Sequence, residues 1–427
     1  MNTRILASLS PLCLCLLAGH ARAALEPFSF GASETVQHQS NLYHTDDSTR
    51  RSDWISTTEF SAALDQALGR DKLLASAAVD LNRYKHAHSL NALGYRAAAE
   101  FDWNTVGDLS GTLGANSARR QFVSGQTAEL VPGATGQTVR FVDVRNLQTD
   151  NHAFASLALG GPSRWTLFGG ADANQRTFSD SGFRANEERQ WSTNAGTRYA
   201  TSPDLSFGLV GTYVNGEYPH GSTSVADAPS RFSTRSFNAT TRWQASGNSA
   251  LDASVGYTAE ANDALSGKRD FVNGSLNWTW KPPSHFTVAV GLKRSSDVDS
   301  SSTGASTGVV NANNLNGTSI NNVARLEVTY ALTAKISLDA SAAYTQRKYS
   351  DVKLSATSNA SGSTRTSNFY LSAHYQPTRT IDLNCGGGRE TRRTDASLTQ
   401  TVGGVDVSLT PAYTDNTVQC AASIRFD

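Results

Sequence analysis

Leu332-Thr333-Ala334-Lys335-Ile336-Ser337-Leu338-Asp339-Ala340-Ser341-Ala342-Ala343-Tyr344-Thr345 decides the fold. A short polar turn opens the stretch. After it, Ile336, Leu338, Ala340, Ala342 and Tyr344 alternate with Ser337, Asp339, Ser341, Ala343 and Thr345. A period of two puts one set on an apolar face and the other on a polar face of a strand. Phe286 to Lys293 and Leu251 to Thr258 alternate in the same way. Tight turn signals recur along the chain: Gly69 to Lys72, Asn104 to Asp108, Gly161 to Arg164, Thr201 to Asp204, Ser246 to Ser249, Lys281 to His285, Leu332 to Lys335 and Pro377 to Thr380. These eight turns join sixteen strands. Phe28 to His44 adds one strand before them and Tyr413 to Asp427 one after, which predicts eighteen, with sixteen as the alternative count. Prolines beyond Met1 to Ala23 fall in turns, loops or strand ends, where the ladder needs no donor.

Composition narrows the class. The chain has 427 residues with 37 basic and 37 acidic side chains, a balance that argues against nucleic-acid binding. Only 17% of residues are charged and no heptad pattern is seen, which argues against a coiled coil. No apolar run beyond the N-terminus approaches the ~20 residues of a membrane helix. A barrel that alternates its apolar residues remains compatible with the membrane. Residues 1–23 read as a signal peptide: Arg4, the apolar Leu12 to Ala18, and Ala21-Arg22-Ala23 as a cleavage site. Residues 24–427 then form a single barrel domain, and loss of Arg4 and Arg22 leaves 35 basic against 37 acidic side chains, a net of −2. Two aromatic sets suit two bilayer interfaces. Trp103, Trp165, Trp243, Trp278, Trp280, Tyr199, Tyr330, Tyr375 and Phe286 adjoin the turns; Trp54, Tyr95, Trp191, Tyr213, Tyr257 and Phe369 stand toward the loops. The expectation is an all-β, up-and-down transmembrane barrel in the outer membrane of a Gram-negative bacterium, with short periplasmic turns and longer extracellular loops.

Gly31-Ala32-Ser33 through Ser40-Asn41-Leu42-Tyr43, then Arg51-Ser52-Asp53-Trp54-Ile55 and Leu81-Asn82-Arg83-Tyr84, resemble EpsL-like outer-membrane proteins of exopolysaccharide biosynthesis clusters. The resemblance is one of overall pattern across the mature chain. It implies a barrel engaged in making or exporting an extracellular polysaccharide, and it brings no catalytic residues.

Basic residues crowd the strand ends away from the turns. Parity points Arg120, Arg176, Lys293, Arg347 and Arg392 into the lumen as a collar that would attract an anionic glycan. It points Arg83, Lys85, Arg119, Arg294, Lys348 and Arg389 outward, toward lipopolysaccharide phosphates or simply toward solvent. Lower in the lumen, Arg198, Arg242, Arg325 and Arg425 share the inner face with Glu100, Asp252, Glu327, Asp339 and Asp382, which suggests cross-strand ladders. Ser254, Thr258, Asn273, Ser275 and Asn277 would hydrogen-bond sugar hydroxyls. Cys385 and Cys420 lie on the last two strands, either bonded or as two small apolar side chains. His38 and His44 are placed on the first strand. Asp46-Asp47 and Asp297-Val298-Asp299 read as solvated loops rather than calcium ligands.

No catalytic or metal site and no cofactor is expected. The expected partners are outer-membrane lipid and lipopolysaccharide, an extracellular polysaccharide and periplasmic export proteins, with no nucleic acid. The favoured function is passage or docking of an exopolysaccharide. The alternatives are a general or substrate-specific porin and an outer-membrane lipid- or glycan-modifying enzyme.

Overall fold

The structure is a computed structural model that describes residues 27–426, apart from 123–126, 134–135, 161–163, 221–228, 264–266, 299–308, 312–317, 354–358, 396–398, 403–404 and 409. The expected leader, residues 161–163 of the third turn and Asp299 lie outside the described residues.

Eighteen antiparallel strands form one wall: β1 Phe28–Gln39, β2 Asp53–Leu68, β3 Asp71–Tyr84, β4 Ala92–Asn104, β5 Leu109–Gln121, β8 Leu147–Leu159, β9 Trp165–Phe178, β10 Glu188–Ser202, β11 Leu205–Tyr218, β12 Ser230–Ser246, β13 Ser249–Asn262, β14 Gly267–Trp280, β15 Phe286–Val298, β17 Thr318–Ala331, β18 Ile336–Lys353, β19 Asn359–Tyr375, β20 Ile381–Thr394 and β23 Tyr413–Phe426. Each pairs with its sequence neighbours in the wall, and β1 closes the cylinder on β23, Phe30 opposite Phe426 through Gln39 opposite Thr417. Closure removes both sheet edges, so backbone donors and acceptors are satisfied across a membrane. The count of eighteen agrees with the turn signals. The first strand stops at Gln39, so His44 is a loop residue and not part of it.

Five short strands stand in the loops, where turn signals and alternation predict none: β6 Thr127–Gly133, β7 Gly136–Val142, β16 Val309–Asn311, β21 Thr399–Val402 and β22 Val405–Ser408. β6 pairs with both β7 and β16, tying two loops together outside the wall.

Alternation sorts the side chains as a membrane demands. Phe60, Phe237 and Phe369 are 57%, 59% and 54% exposed, and Leu167, Val255, Val272, Leu371 and Val418 are also exposed at matching parity. In a closed cylinder these alternate positions face lipid. The turn-side aromatic belt pairs ring to ring: Trp165 with Tyr199 at 4.7 Å and Phe286 with Tyr330 at 4.5 Å between centroids. On β1, the carboxylate of Glu34 shares the outward parity of Phe30 and Val36. It accepts hydrogen bonds from Ser56 Oγ (2.5 Å) and Thr58 Oγ1 (2.6 Å), which offset the cost of a charge on that face. Cys385 and Cys420 stand directly opposite one another with Cα atoms 4.1 Å apart, and they are disulfide-bonded on the outer face.

Among the described residues, a packed apolar cluster stands at the loop-side mouth rather than at the centre of the barrel. Leu42 and Tyr43 fold inward and are buried with Ile55, Tyr84, Ala87 and Leu90. Asn41 locks this segment: its N–H donates to Asp415 Oδ1 (2.9 Å), and its side chain exchanges two bonds with the Thr45 backbone (2.7 and 3.1 Å). Asp53, at the head of β2, accepts from the N–H groups of Trp54, His86 and Ala87. It thereby fixes the 85–91 segment beside the first. Burial pushes the Tyr43 hydroxyl above its ordinary value, and the neighbouring Asp143 carboxylate adds to the shift.

Candidate functional site: two unlike inner walls

Inward parity brings the strand-borne charges into the lumen, and register decides their neighbours. Along one ladder row Lys293 stands opposite Val323, Val323 opposite Thr345, Thr345 opposite Thr366 and Thr366 opposite Arg392. Arg325 lies one inward position to one side of that row and Arg347 one to the other. The four cations therefore border a single recess of 470 Å³, together with Ser275, Asn277 and Asn321.

Arg347 Nε donates to Ser319 Oγ at 3.1 Å, and the Arg392 guanidinium lies 4.8 Å from the Tyr413 ring centroid. A hydroxyl and an aromatic face thus hold these two side chains in place. Lys293 and Arg325 are exposed and make no ion pair with a described carboxylate. A concave patch of cations in contact with water raises the local concentration of anions.

Arg120 and Arg176, expected in the same collar, sit on the other side of the barrel and are neutralised. Arg176 Nε is 2.9 Å from Asp150 and its Nη1 is 3.5 Å from Glu188; Arg120 Nη2 is 3.7 Å from the same Asp150. The collar is consequently one-sided rather than a ring. The cause is that β8 presents Asp150 between the two arginine strands, whereas β17 and β18 present Asn321, Val323 and Thr345.

The expected ladder lower in the lumen reduces, among the described residues, to one rung of those named: Arg242 to Asp252 at 3.6 Å. Register explains this. Arg242 and Asp252 are direct partners, whereas Arg325 stands opposite Ala343 and Gly291, and Arg198 opposite Gly208 and Thr166. Glu327 lies opposite Ser341 and Ala289. Asp339 instead accepts from Thr329 Oγ1 (2.6 Å), and Asp382 pairs with His374. Arg425 stands at the turn-side end of β23. Ser254 shares a hydrogen bond with Ser275 (2.7 Å), and Asn273 donates to Thr258 (2.8 Å), all four facing inward.

The opposite wall, β4 to β10, has another character. Successive inward rows read Ala98, Asn116, His152, Asn174, Gln190; then Glu100, Gly114, Phe154, Asp172, Ser192; then Asp102, Thr112, Ser156, Gly170, Asn194; then Asn104, Ser110, Ala158, Phe168, Gly196. Three carboxylates stand there among amides, hydroxyls and two phenyl rings. Sequence reading singled out none of Phe154, Phe168, Asp102 or Asp172. The available signal was a phenylalanine at the polar parity of two adjacent strands.

On the exterior, Arg83, Arg119, Arg294, Lys348 and Arg389 lie at outward parity, and Lys85 follows the end of β3. Arg294 is pinned to the wall by Val272 O (3.1 Å) and Asn322 Oδ1 (3.0 Å). In the loops, Asp46 accepts from Ser48 N–H and Oγ, which hold its carboxyl below the usual range, and Asp47 accepts from Thr414 N–H. No cluster of metal-ligating side chains is formed among the described residues.

No family model and no curated protein matches the chain. Among solved structures it is similar to the outer membrane protein OpdK of Pseudomonas aeruginosa, at 12% identity and TM-score 0.47, over 93% of this chain and 99% of that one. It is also similar to the siderophore receptor PirA of Pseudomonas aeruginosa (11%, TM-score 0.45, 95% and 82%). A third similarity is to the FrpB iron transporter of Neisseria meningitidis (10%, TM-score 0.46, 93% and 81%). Likeness at this level transfers no residue role.

Proposed function

We propose that the chain is a passive outer-membrane channel whose basic inner wall favours anionic, carboxylate-bearing solutes. The observation that carries this reading is the convergence of Lys293, Arg325, Arg347 and Arg392 on one recess inside a closed barrel. A barrel of eighteen strands is wide enough to hold water rather than a packed core. Carboxylates would be drawn to the four cations and released again, because Lys293 and Arg325 keep their hydration in the free state.

The test is the reversal potential of the purified barrel in a planar bilayer under a potassium chloride gradient. The expected result is anion preference. Cation preference in the unmodified protein overturns the reading. Replacing Lys293, Arg325 and Arg347 together by Gln is expected to lower the anion-to-cation permeability ratio several-fold.

An acidic exopolysaccharide moving outward is the narrower form of the same proposal, supported by the sequence resemblance. A small-solute porin is the other form, and the inward fold of residues 40–45 over the mouth favours it. Deletion separates them. Loss of surface polymer with normal solute uptake supports export, and the converse supports the porin.

A further inference from the structure

We infer that the inner face of β4 to β10 is a sugar-stacking subsite for neutral hexopyranose units, built on Phe154 and Phe168 and completed by Asp102, Asp172 and Asn194. The inference deepens the channel proposal, because it takes the lumen as the path of the solute.

Two phenyl rings at lumen parity are costly where water fills the barrel, since each leaves apolar surface wet. The wall accommodates both in the same way. Phe154 stands opposite Gly114 and Phe168 opposite Gly196, and an added Cβ at either glycine would collide with the ring beside it. The tips of the rings therefore close over bare backbone. Larger residues at the two glycines would displace them. His152 extends the aromatic surface, stacked on Phe154 at 5.2 Å and 21° and oriented by Asn116 Nδ2 at 3.1 Å.

A recess of 610 Å³ runs along this wall, bordered by Asp102, Phe154, Phe168, Asp172 and Asn194. Polar groups surround the rings in both senses of the hydrogen bond. Asp102 accepts from Thr112 Oγ1 (2.8 Å), and Asp172 accepts from Ser192 Oγ (2.5 Å) and Asn174 Nδ2 (3.0 Å). Those bonds orient each carboxylate and leave lone pairs for a ligand, because an ionised carboxylate accepts up to about four hydrogen bonds.

The class of ligand follows from that mixture. A pyranose ring offers polarised C–H groups to an aromatic face and hydroxyls, each donor and acceptor, around its edge. Carboxylates take the hydroxyl protons while the Asn194 amide donates to a hydroxyl oxygen. An organic cation would use the carboxylates and rings but would leave the amide donors without a partner. An anion would be repelled here and drawn to the opposite wall. A glycan carrying both neutral hexoses and carboxylates could thus engage both walls at once.

The experiment is titration calorimetry of maltohexaose, and separately of choline, into the full-length barrel in detergent, with ion selectivity measured in bilayers on the same preparations. Maltohexaose binding is expected, weakened about tenfold by Phe154→Ala with Phe168→Ala and largely retained by Phe154→Tyr with Phe168→Tyr. Asp102→Asn with Asp172→Asn is expected to weaken it as well. Each variant is first checked for heat-modifiable migration, the sign of a closed barrel. Absence of maltohexaose binding to the unmodified protein overturns the inference, as does undiminished binding in the folded alanine variant. Tighter binding of choline than of the hexaose overturns it in favour of a cation site. Saccharide binding with the expected ring dependence but without anion selectivity sinks the channel reading alone. Anion selectivity without saccharide binding sinks the subsite alone.

Discussion

The two inner walls use similar residue types and arrive at opposite electrostatics. On β5, β8 and β9 the cations Arg120 and Arg176 share Asp150, and nearby Asp102 and Asp172 are held by hydroxyls and an amide. On β15, β17, β18 and β20 the cations border a recess lined by serine, threonine and asparagine, and the charge of Lys293 and Arg325 stays open to the lumen. The basic wall is also braced from outside, where the Cys385–Cys420 disulfide staples β20 to β23. The contrast teaches that parity delivers a charge to the lumen, while its cross-strand neighbour decides whether the charge is spent on the wall or offered to a solute.

The largest effect is expected from that staple. Reducing the disulfide, or replacing Cys385 and Cys420 by Ser, is expected to cost about 3–4 kcal/mol in the chain-entropy account, for a sequence separation of 35 residues. A lower temperature for loss of heat-modifiable migration checks it. Ion selectivity should not change, and if it does, the two walls differ by geometry as well as by charge. Next comes the mouth. Asp53→Ala leaves the Trp54, His86 and Ala87 N–H groups without their acceptor, at about 1–3 kcal/mol for each group that stays buried. The expected reading is faster hydrogen exchange at residues 85–91 and larger conductance fluctuations.

A direct attack on the comparison is Asp150→Asn. It removes the countercharge that Arg120 and Arg176 share, leaving Arg176 with Glu188, and should raise anion selectivity by about twofold, making the walls more alike. Unchanged permeability ratios would place those arginines out of the conducting path. The smallest effect is at Tyr43. Its raised value means that the fold favours the neutral phenol, so the contribution is complete below the ordinary phenol value of 10.0 and declines as pH rises above it. Exchange protection of residues 40–45 should fall between about pH 10 and pH 11, and Tyr43→Phe should remove that dependence.

Much of the scaffold was legible along the chain. The alternation after Leu332 and the eight turn signals gave the strand count, because a closed antiparallel barrel repeats one local rule. Face assignment followed from parity for Lys293, Arg347 and Arg392. The candidate sites were less legible. Arg120 and Arg392 look equivalent in sequence, each a basic residue near the loop-side end of a strand, yet one is neutralised and the other joins a cluster. Phe154 and Phe168 stand out only once register sets Gly114 and Gly196 across from them. Leu42 and Tyr43 looked like the end of a strand, and only the packing of loops against Ile55 and Tyr84 turned them inward.

Sequence by itself determined that this chain alternates, turns and closes, since the two-residue period and the turn residues act over a few positions. Tertiary structure alone decided which side chains meet and which stay open: the bonding of Cys385 to Cys420, the rung from Arg242 to Asp252, and the open charge of Lys293 and Arg325. The physical reason is that a strand's period fixes the face of a side chain, whereas the stagger between strands fixes its neighbour, and stagger is set by the whole cylinder closing on itself.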